Sequence, residues 1–321
     1  MPKLLKVGVL MGGSSSEHEI SLLTGQNVIN HLDKSKYQPI PIKISKNGSW
    51  FLNNKLSSQK DILKSCDMIF NALHGSFGED GKLQAILEHQ GIKYTGSGIA
   101  ASALAMDKYH SREIFKLAGF NVPRTLKIKK DENYSARLNF FINKIIKLPV
   151  VVKPCSSGSS VGVQVVNNPK MVKKAVSETF KIDSQALVEE FIKGREVTCG
   201  VLDVNGQTTA LPVTEIVPLK NNKFFNFNAK YKDGHSNEIT PAPIEESVYQ
   251  KVQDVAIKAH EILNCRGYSR TDMMLKNGNG TIYILETNTL PGLTQASLLP
   301  KAALHAGISF PELLDKIILS I

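Results

Sequence analysis

Two segments near the start of the chain share one design: an apolar run that stops at glycine and gives way to a helical pattern. The first is Lys6–Met11, closed by Gly12-Gly13. The second is Asp67–Leu73, which runs into HGSFGEDG at His74–Gly81 and then a predicted helix over Lys82–His89. Ser16 and Glu19 have the spacing of a capping box and predict a helix through about His31. Tyr37–Ile44 reads as a further strand, followed by polar turns at Asn47-Gly48 and Asn53-Asn54. Strands that alternate with helices build a parallel α/β sheet, and such sheets bind ligands beyond the C-terminal ends of their strands. The glycine turns therefore mark where a site belongs.

The pattern changes after the helix predicted over Ser102–Ala118, which Gly119 and Pro123 terminate. Lys147–Lys153 is a β-rich run, CSSGSSVG follows it, and Val163–Val166 returns as a strand. Ala186–Phe191, Arg195–Val204, Thr208–Val217, Tyr268–Leu275 and Thr281–Thr287 also read as strands, joined by turns such as Asn277-Gly278. This half is expected to be antiparallel α+β. Asn221–Pro243 is polar and lacks periodicity, which predicts a long functional loop.

A chain of 321 residues has room for about two domains, or for one enzyme of several lobes. With 42% hydrophobic and 21% charged residues, it falls outside the disordered, collagen-like and coiled-coil classes. Its 39 Lys+Arg against 29 Asp+Glu give +10, a charge that suits nucleic acid, anionic lipid or an anionic small substrate. The basic residues are scattered pairs, such as Lys129-Lys130 and Lys173-Lys174, without aromatic interleaving, so no nucleic-acid or membrane partner is expected. Cys66, Cys155, Cys199 and Cys265 lie far apart with no C-x-x-C. That spacing predicts free thiols in a reducing compartment, and neither zinc nor a disulfide framework. The N-terminal apolar run is too short for a signal peptide, and no stretch reaches the ~18 apolar residues of a transmembrane helix.

Lys153-Pro154-Cys155-Ser156-Ser157-Gly158-Ser159-Ser160-Val161-Gly162 sets a lysine at a strand end, before a hairpin rich in hydroxyls and glycine. Small residues let backbone N–H groups converge on phosphate oxygens, and the ammonium adds a compact charge. A nucleotide cradle and a plain flexible hairpin both fit the segment. A Walker loop does not, because G-x-x-x-x-G-K-[ST] is missing. In GYSRTDMML and TIYILETNTLPG, residues two apart share a strand face, so Arg270 lies with Asp272 and Glu286 with Asn288. Adjacent strands would set three oxygen ligands and a guanidinium over one spot, a donor set for Mg²⁺. The plainer reading is a solvent-facing polar strand side.

Lys153 with its Gly/Ser loop, Glu189-Glu190-Phe191-Ile192 before Gly194-Arg195-Glu196, and Arg270-x-Asp272 before Glu286-x-Asn288 together resemble the ATP-grasp fold. MGGSSSEHEISLLTG, HGSFGEDG, TGSGIAASALAMDK, KPCSSGSSVG, FNAKY, YSRTD and ETNTLPG follow one another as in the D-alanine–D-alanine ligases, a resemblance spanning about residues 7–315. It implies a Rossmann-like parallel-sheet α/β unit at residues 1–104, followed by a two-lobed ATP-grasp fold. The central subdomain would occupy 105–188 and the C-terminal one 189–321, with a mobile loop at 221–243. The implied activity is ATP-dependent ligation of two D-alanines through D-alanyl phosphate, for peptidoglycan precursors, by a cytoplasmic homodimer. Two Mg²⁺ ions are implied, and Mn²⁺ and K⁺ stay open as further ions.

The same resemblance implies roles for single residues. Lys108 and Lys153 would contact the ATP phosphates, with Lys230 on the γ-phosphate. Glu189, Glu190, Phe191 and Ile192 would form the adenine-side strand, and Glu196 would hold the ribose hydroxyls. Asp272, Glu286 and Asn288 would be the metal ligands. Glu17 would receive the first D-alanine's ammonium, linked to Ser159 and Tyr231, with His74 near its carboxylate. Arg270 and the Gly292 amide would stabilise the tetrahedral oxyanion, and Ser297 with Leu298 would take the second D-alanine's carboxylate. Phe225, Phe227, Asn228 and Phe191 depart from the residues the family often carries. Asp80 fits a helix cap as well as a site role, Cys155 a small space-filling side chain, and His18, His31 and His89 structural or solvated positions. A carboxylate–amine ligase for another amino acid, or a non-catalytic ATP-binding protein, is an alternative on the same fold.

Overall fold

The computed structural model describes residues 4–156, 158, 161–204, 206–218 and 236–321. Its first strand, β1 (Leu5–Gly12), lies inside a sheet, with Val7, Val9 and Leu10 fully buried. There follow α1 (His18–His31), β2 (Tyr37–Ile44), β3 (Trp50–Leu52), β4 (Lys55–Leu56), α2 (Gln59–Lys64), β5 (Met68–Asn71), α3 (Lys82–His89) and β6 (Lys93–Tyr94). The strand order is β4-β3-β2-β1-β5-β6. β2, β1, β5 and β6 run parallel, and β3 and β4 add an antiparallel edge. The chain leaves β1 to one side for β2 and comes back to its other side for β5, a switch point that opens a crevice at their C-terminal ends.

Two expectations for this region are corrected. Ser16 and Glu19 form no capping box: α1 starts at His18 behind Glu17, no side chain caps it, and the Glu19 carboxylate pairs with Lys46 at 3.1 Å. The hydroxyl that orders this turn is Ser15, which accepts the Glu17 N–H at 3.2 Å and donates to the His74 carbonyl at 2.6 Å. The single helix expected over Ser102–Ala118 is two, α4 (Ile99–Met106) and α5 (Lys108–Leu117). Asp107 leaves the helical region at ψ 96 and caps α5, its carboxylate accepting the Tyr109 and His110 N–H groups at 3.0 Å each.

The middle of the chain folds as β7 (Thr125–Lys129), α6 (Ser135–Phe140) continuing into a π-turn at Phe141–Ile145, β8 (Val150–Pro154), β9 (Gln164–Val166), α7 (Pro169–Thr179) and β10 (Gln185–Glu190). Its sheet is antiparallel in the order β7-β10-β8-β9. The last part comprises β11 (Gly194–Val204), β12 (Gln207–Ala210), β13 (Thr214–Pro218), β14 (Ser236–Ile239), α8 (Glu246–Ile262), β15 (Tyr268–Lys276), β16 (Ile282–Asn288), α9 (Leu298–His305) and α10 (Phe310–Leu319). The order is β14-β13-β11-β15-β16, with β12 also on β11, and these pairs are antiparallel as expected. The strand expected over Thr208–Val217 breaks into β12 and β13 around Pro212, which has no N–H to continue a ladder. The loop expected over 221–243 contains β14, whose Ile239 pairs with Glu215.

One core joins the two ends of the chain. Val7, Val9 and Phe70 of the first sheet pack in the same cluster as Tyr268, Leu299, Leu313 and Leu314. Leu314→Ala is therefore expected to lower stability by about 2–5 kcal/mol. The single tryptophan, Trp50, packs in a separate cluster of the first sheet with Leu10, Ile42 and Ile44, so its fluorescence during urea unfolding reports whether that sheet unfolds together with the C-terminal helices. A Trp50 transition unchanged by Leu314→Ala would contradict the shared core.

Candidate active site

β1 and β5 lie side by side, Leu10 against Asn71, and the loops after them carry Glu17 and His74. Asn71 shapes the second loop: its amide donates to the Gly78 carbonyl at 3.0 Å and its oxygen accepts the Leu73 N–H at 3.2 Å. Gly75 has φ +72, and a Cβ there would lie 2.7 Å from Glu17 Oε2, so the loop needs glycine twice over. His74 is buried, with Nε2 2.8 Å from Thr24 Oγ1 and Nδ1 3.6 Å from Glu79 Oε1. Glu79 also accepts the Gly75 N–H at 2.8 Å. The motifs had not singled out Thr24 or Glu79, although Glu79 stands inside HGSFGEDG. Asp80 is not the cap of α3, whose N-cap is Gly81 with no side-chain cap; its carboxylate accepts the Lys82 N–H at 3.2 Å and pairs with Lys82 Nζ at 2.8 Å. Of the two readings for His18 the structural one holds: it is buried, with Nδ1 2.5 Å from the Gly13 carbonyl oxygen.

The loop after β8 reaches the first unit, since a Cβ on Gly158 would sit 2.8 Å from Glu17 Oε2. Ser159, Lys230 and Tyr231, with Phe225, Phe227 and Asn228, lie outside the described residues.

β15 and β16 supply the centre of the site. Arg270 pairs with Asn288 and Asp272 with Glu286 across the two strands. The Arg270 guanidinium donates through Nε and Nη2 to both oxygens of Asp272, each at 2.9 Å. Thr198 Oγ1 donates to Asp272 Oδ1 at 2.6 Å, and the Asn288 amide to Oδ2 at 3.2 Å. Lys108 Nζ lies 3.0 Å from Glu286 Oε2. Arg270 and Asp272 are buried, which excludes the solvent-facing reading of this strand side.

Two cavities meet along these strands. One, of about 460 Å³, is lined by Glu17, His74, Gly158, Arg270, Asn288, Gly292, Ser297 and Leu298. The other, of about 430 Å³, is lined by Lys108, Lys153, Glu189, Glu190, Phe191, Ile192, Glu196, Asp272 and Glu286, with Val151, Val165 and Met274 as apolar walls. Arg270 and Asn288 thus face one cavity, and the next residue pair along the same face, Asp272 and Glu286, faces the other. In the first, Ser297 precedes α9, where N–H groups and the helix dipole favour an anion. A Cβ on Gly292 would stand 2.7 Å from Ser297 Oγ.

The second cavity holds a chain of charges. Glu189 is buried between the Arg112 guanidinium and Lys153 Nζ, the latter 3.0 Å away. Burial alone would raise the Glu189 pKa, but Arg112 and Lys153 outweigh it and hold the carboxyl below the usual range. Burial and the neighbouring Arg112 charge bring Lys153 down to about 8, against the opposing pull of Glu189 and Glu286. Glu190 pairs with Arg124. Burial pushes the Cys155 thiol up to about 11, which makes it inert at neutral pH, and all four cysteines are free as expected. Arg112 escaped the motif reading; its signal was its place four residues after Lys108, on the same helix face.

Among the described residues, no three His, Cys, Asp or Glu side chains converge as a self-sufficient metal site. Asp272, Glu286 and Asn288 offer two carboxylates and an amide. That set fits Mg²⁺, which takes one or two protein carboxylates and completes its shell with substrate phosphates and water.

The D-ala D-ala ligase C-terminus family matches residues 114–319, and the D-ala D-ala ligase N-terminus family matches residues 6–65 and 54–97. The chain belongs to the D-alanine–D-alanine ligase family. The chain is 40% identical to a D-alanine–D-alanine ligase of Leptospira interrogans, over 98% of its own length and 97% of the relative's. The D-alanine–D-alanine ligase of Bacillus anthracis complexed with ATP superposes with a TM-score of 0.78 at 34% identity, covering 98% and 97% of the two chains. The VanG D-Ala:D-Ser ligase of Enterococcus faecalis gives 0.84 at 30% identity, covering 98% and 99%. The ligase is accordingly an enzyme with the ATP-grasp fold that uses ATP. No helix among its described residues is long and apolar enough to cross a membrane.

Proposed function

We propose that this ligase makes D-alanyl-D-alanine for peptidoglycan precursors through a D-alanyl phosphate. A carboxylate oxygen of the first D-alanine attacks the γ-phosphorus of ATP, and ADP leaves with the electrons of the broken P–O bond. The second D-alanine, its amine deprotonated, attacks the acyl carbon, and the tetrahedral oxyanion collapses by expelling phosphate. The observation that carries this reading is the partition described above: one strand pair presents Arg270 and Asn288 to a cavity that also holds Ser297, and Asp272 and Glu286 to a cavity that also holds Lys108 and Lys153. In-line transfer between two bound substrates needs such neighbouring sites.

In this reading Lys108 and Lys153 hold the phosphates, with Lys230 joining from the loop over 221–243. Glu189, Glu190, Phe191 and Ile192 flank the adenine, and Glu196 takes the ribose. Mg²⁺ held by Asp272, Glu286 and Asn288 together with the triphosphate would neutralise charge on the transferred phosphoryl. Glu17, supported by Ser159 and Tyr231, receives the first ammonium, with His74 beside the carboxylate. Arg270 and the Gly292 amide stabilise the oxyanion, and Ser297 and Leu298 bind the second carboxylate. The proposed division is 1–104, 105–188 and 189–321, and β10 runs across the second boundary by ending at Glu190. A cytoplasmic homodimer completes the proposal.

Identifying the products formed from ATP and D-alanine with D-serine or D-lactate in competition tests the second substrate. The dipeptide D-alanyl-D-alanine is expected to dominate, with negligible depsipeptide at neutral pH, and Tyr231→Phe to relax that choice. Losing one hydrogen-bonded hydroxyl typically costs about 1–3 kcal/mol, or ~5- to 150-fold in preference. Predominant D-alanyl-D-serine would move the chain's activity towards that of its VanG neighbour.

ATP binding should depend on pH through Lys153, which faces Arg112 and Lys108 of α5, Glu189 of β10 and Glu286 of β16. Below about 8 its ammonium is present and attracts phosphate. Above that value the free enzyme loses the charge, so affinity for a non-hydrolysable ATP analogue is expected to fall, with proton uptake on binding. Lys153→Arg should abolish this alkaline decline. A pH-independent affinity between 7 and 10 would contradict the assignment.

A further inference from the structure

Arg112 takes no part in the scheme above, yet it is the bulkiest fully buried side chain among the described residues. It leaves α5 one turn beyond Lys108 and joins two of the three sheets. Its Nε donates to the Leu285 carbonyl of β16 at 2.7 Å, and its Nη1 pairs with Glu189 of β10. Glu189 passes the contact on, since its second oxygen is 3.0 Å from Lys153 Nζ. Leu285 is itself irregular: the ladder pairs Asp272 with Glu286 and then Met273 with Ile284, so Leu285 is the extra residue of a β-bulge. A bulge bends its strand and re-aims the adjoining side chain, here Glu286.

We propose that Arg112 is a positioning residue for phosphoryl transfer, holding the Leu285 bulge that directs Glu286 and the Glu189 carboxylate that fixes Lys153. The planar guanidinium is suited to this task because it presents donors in two directions at once, to a carbonyl and to a carboxylate on different sheets. A lysine at the same place offers one compact ammonium and reaches one acceptor or the other. The inference rests on the proposed roles of Lys153 and Glu286, and it adds that α5 ties the two halves of the nucleotide site into one geometry.

The test compares Arg112→Met and Arg112→Lys with Phe115→Leu, a buried α5 residue that lines neither cavity. ATP binding is measured by calorimetry without Mg²⁺, and kcat and KM are measured with it. Arg112→Met is expected to weaken ATP binding about tenfold and to lower kcat about tenfold or more, while KM for D-alanine changes less than about twofold. Arg112→Lys should recover part of one loss only. Phe115→Leu should lower the melting temperature and leave the kinetics of the folded enzyme unchanged. Parental ATP affinity and kcat in folded Arg112→Met would overturn the proposal, as would equal losses for ATP and D-alanine, which signal general loosening. Should Arg112→Met not fold, unchanged ATP binding and kcat in both Arg112→Lys and Glu189→Gln overturn it. Lys153→Met and Glu286→Gln separate the two levels: if they too keep parental ATP kinetics, the reading of the site fails, and if they lose them while the Arg112 variants do not, only the Arg112 proposal fails.

Discussion

Glu286→Gln is expected to cut turnover by about 10²-fold or more, several kcal/mol of transition-state stabilisation, with the fold retained. The side chain lines the cavity shared with Lys108, Lys153 and Asp272, lies 3.0 Å from Lys108 Nζ, and stands outside the apolar clusters. The amide keeps the shape and loses the charge that Mg²⁺ and the transferred phosphoryl would share. Raising Mg²⁺ should not restore the rate, because the missing group would be the proposed ligand. Measuring kcat across a Mg²⁺ titration, beside the unfolding midpoint, checks both halves of the expectation. Near-parental activity at saturating Mg²⁺ would remove Glu286 from the metal set. Asp272→Asn should cost at least as much turnover and also some stability, because Arg270 would lose the anionic partner of its bidentate pair in a buried place.

Arg270→Met is expected to lower kcat by about 10²- to 10³-fold, the range found when one donor to a developing oxyanion is removed. Arg270 lines the cavity it shares with Glu17, His74 and Gly292, while Asp272 holds its guanidinium with two hydrogen bonds, so a donor there would be oriented before substrate arrives. Arg270→Lys keeps the charge and loses the fork, and should recover only a fraction of the rate. The Arg270→Met/Asp272→Asn pair should lose less than the sum of the single losses, because each residue's function depends on the other. Additive losses would mean that the ion pair does not act as a unit. Steady-state rates of the four proteins decide the matter.

The parts of the fold that were legible in the sequence are those where burial writes a continuous signal. β1 and β5 sit in buried apolar runs, β2 shows through its alternating buried Ile42 and Ile44, and α3 is bounded as expected by Lys82 and His89. β4 is two exposed residues, β6 is also two and β3 is three, so hydrophobic periodicity had nothing to register. The break at Asp107 was hidden because ALAMDKYHSREIF has neither Gly nor Pro; a carboxylate cap ends one helix and starts the next. At the site, strand alternation correctly put Arg270 with Asp272, since both lie on regular β15. The roles of Arg112 and Thr24 were harder to read, although one stands a turn after Lys108 and the other inside MGGSSSEHEISLLTG. Their roles come from partners far away in sequence, Leu285 and Glu189 for the one and His74 for the other, and the Leu285 contact depends on a bulge that no local pattern announces.

The central claim is that the first D-alanine's carboxylate is phosphorylated before the peptide bond forms. It is tested most directly by supplying ATP with D-alanine whose carboxylate oxygens carry a heavy isotope, and weighing the released phosphate. Transfer through an acyl phosphate moves one labelled oxygen into each phosphate, because the C–O bond to the phosphoryl group is the one that breaks. Labelled phosphate formed in step with D-alanyl-D-alanine is the predicted result. Dipeptide accompanied by unlabelled phosphate would contradict the account.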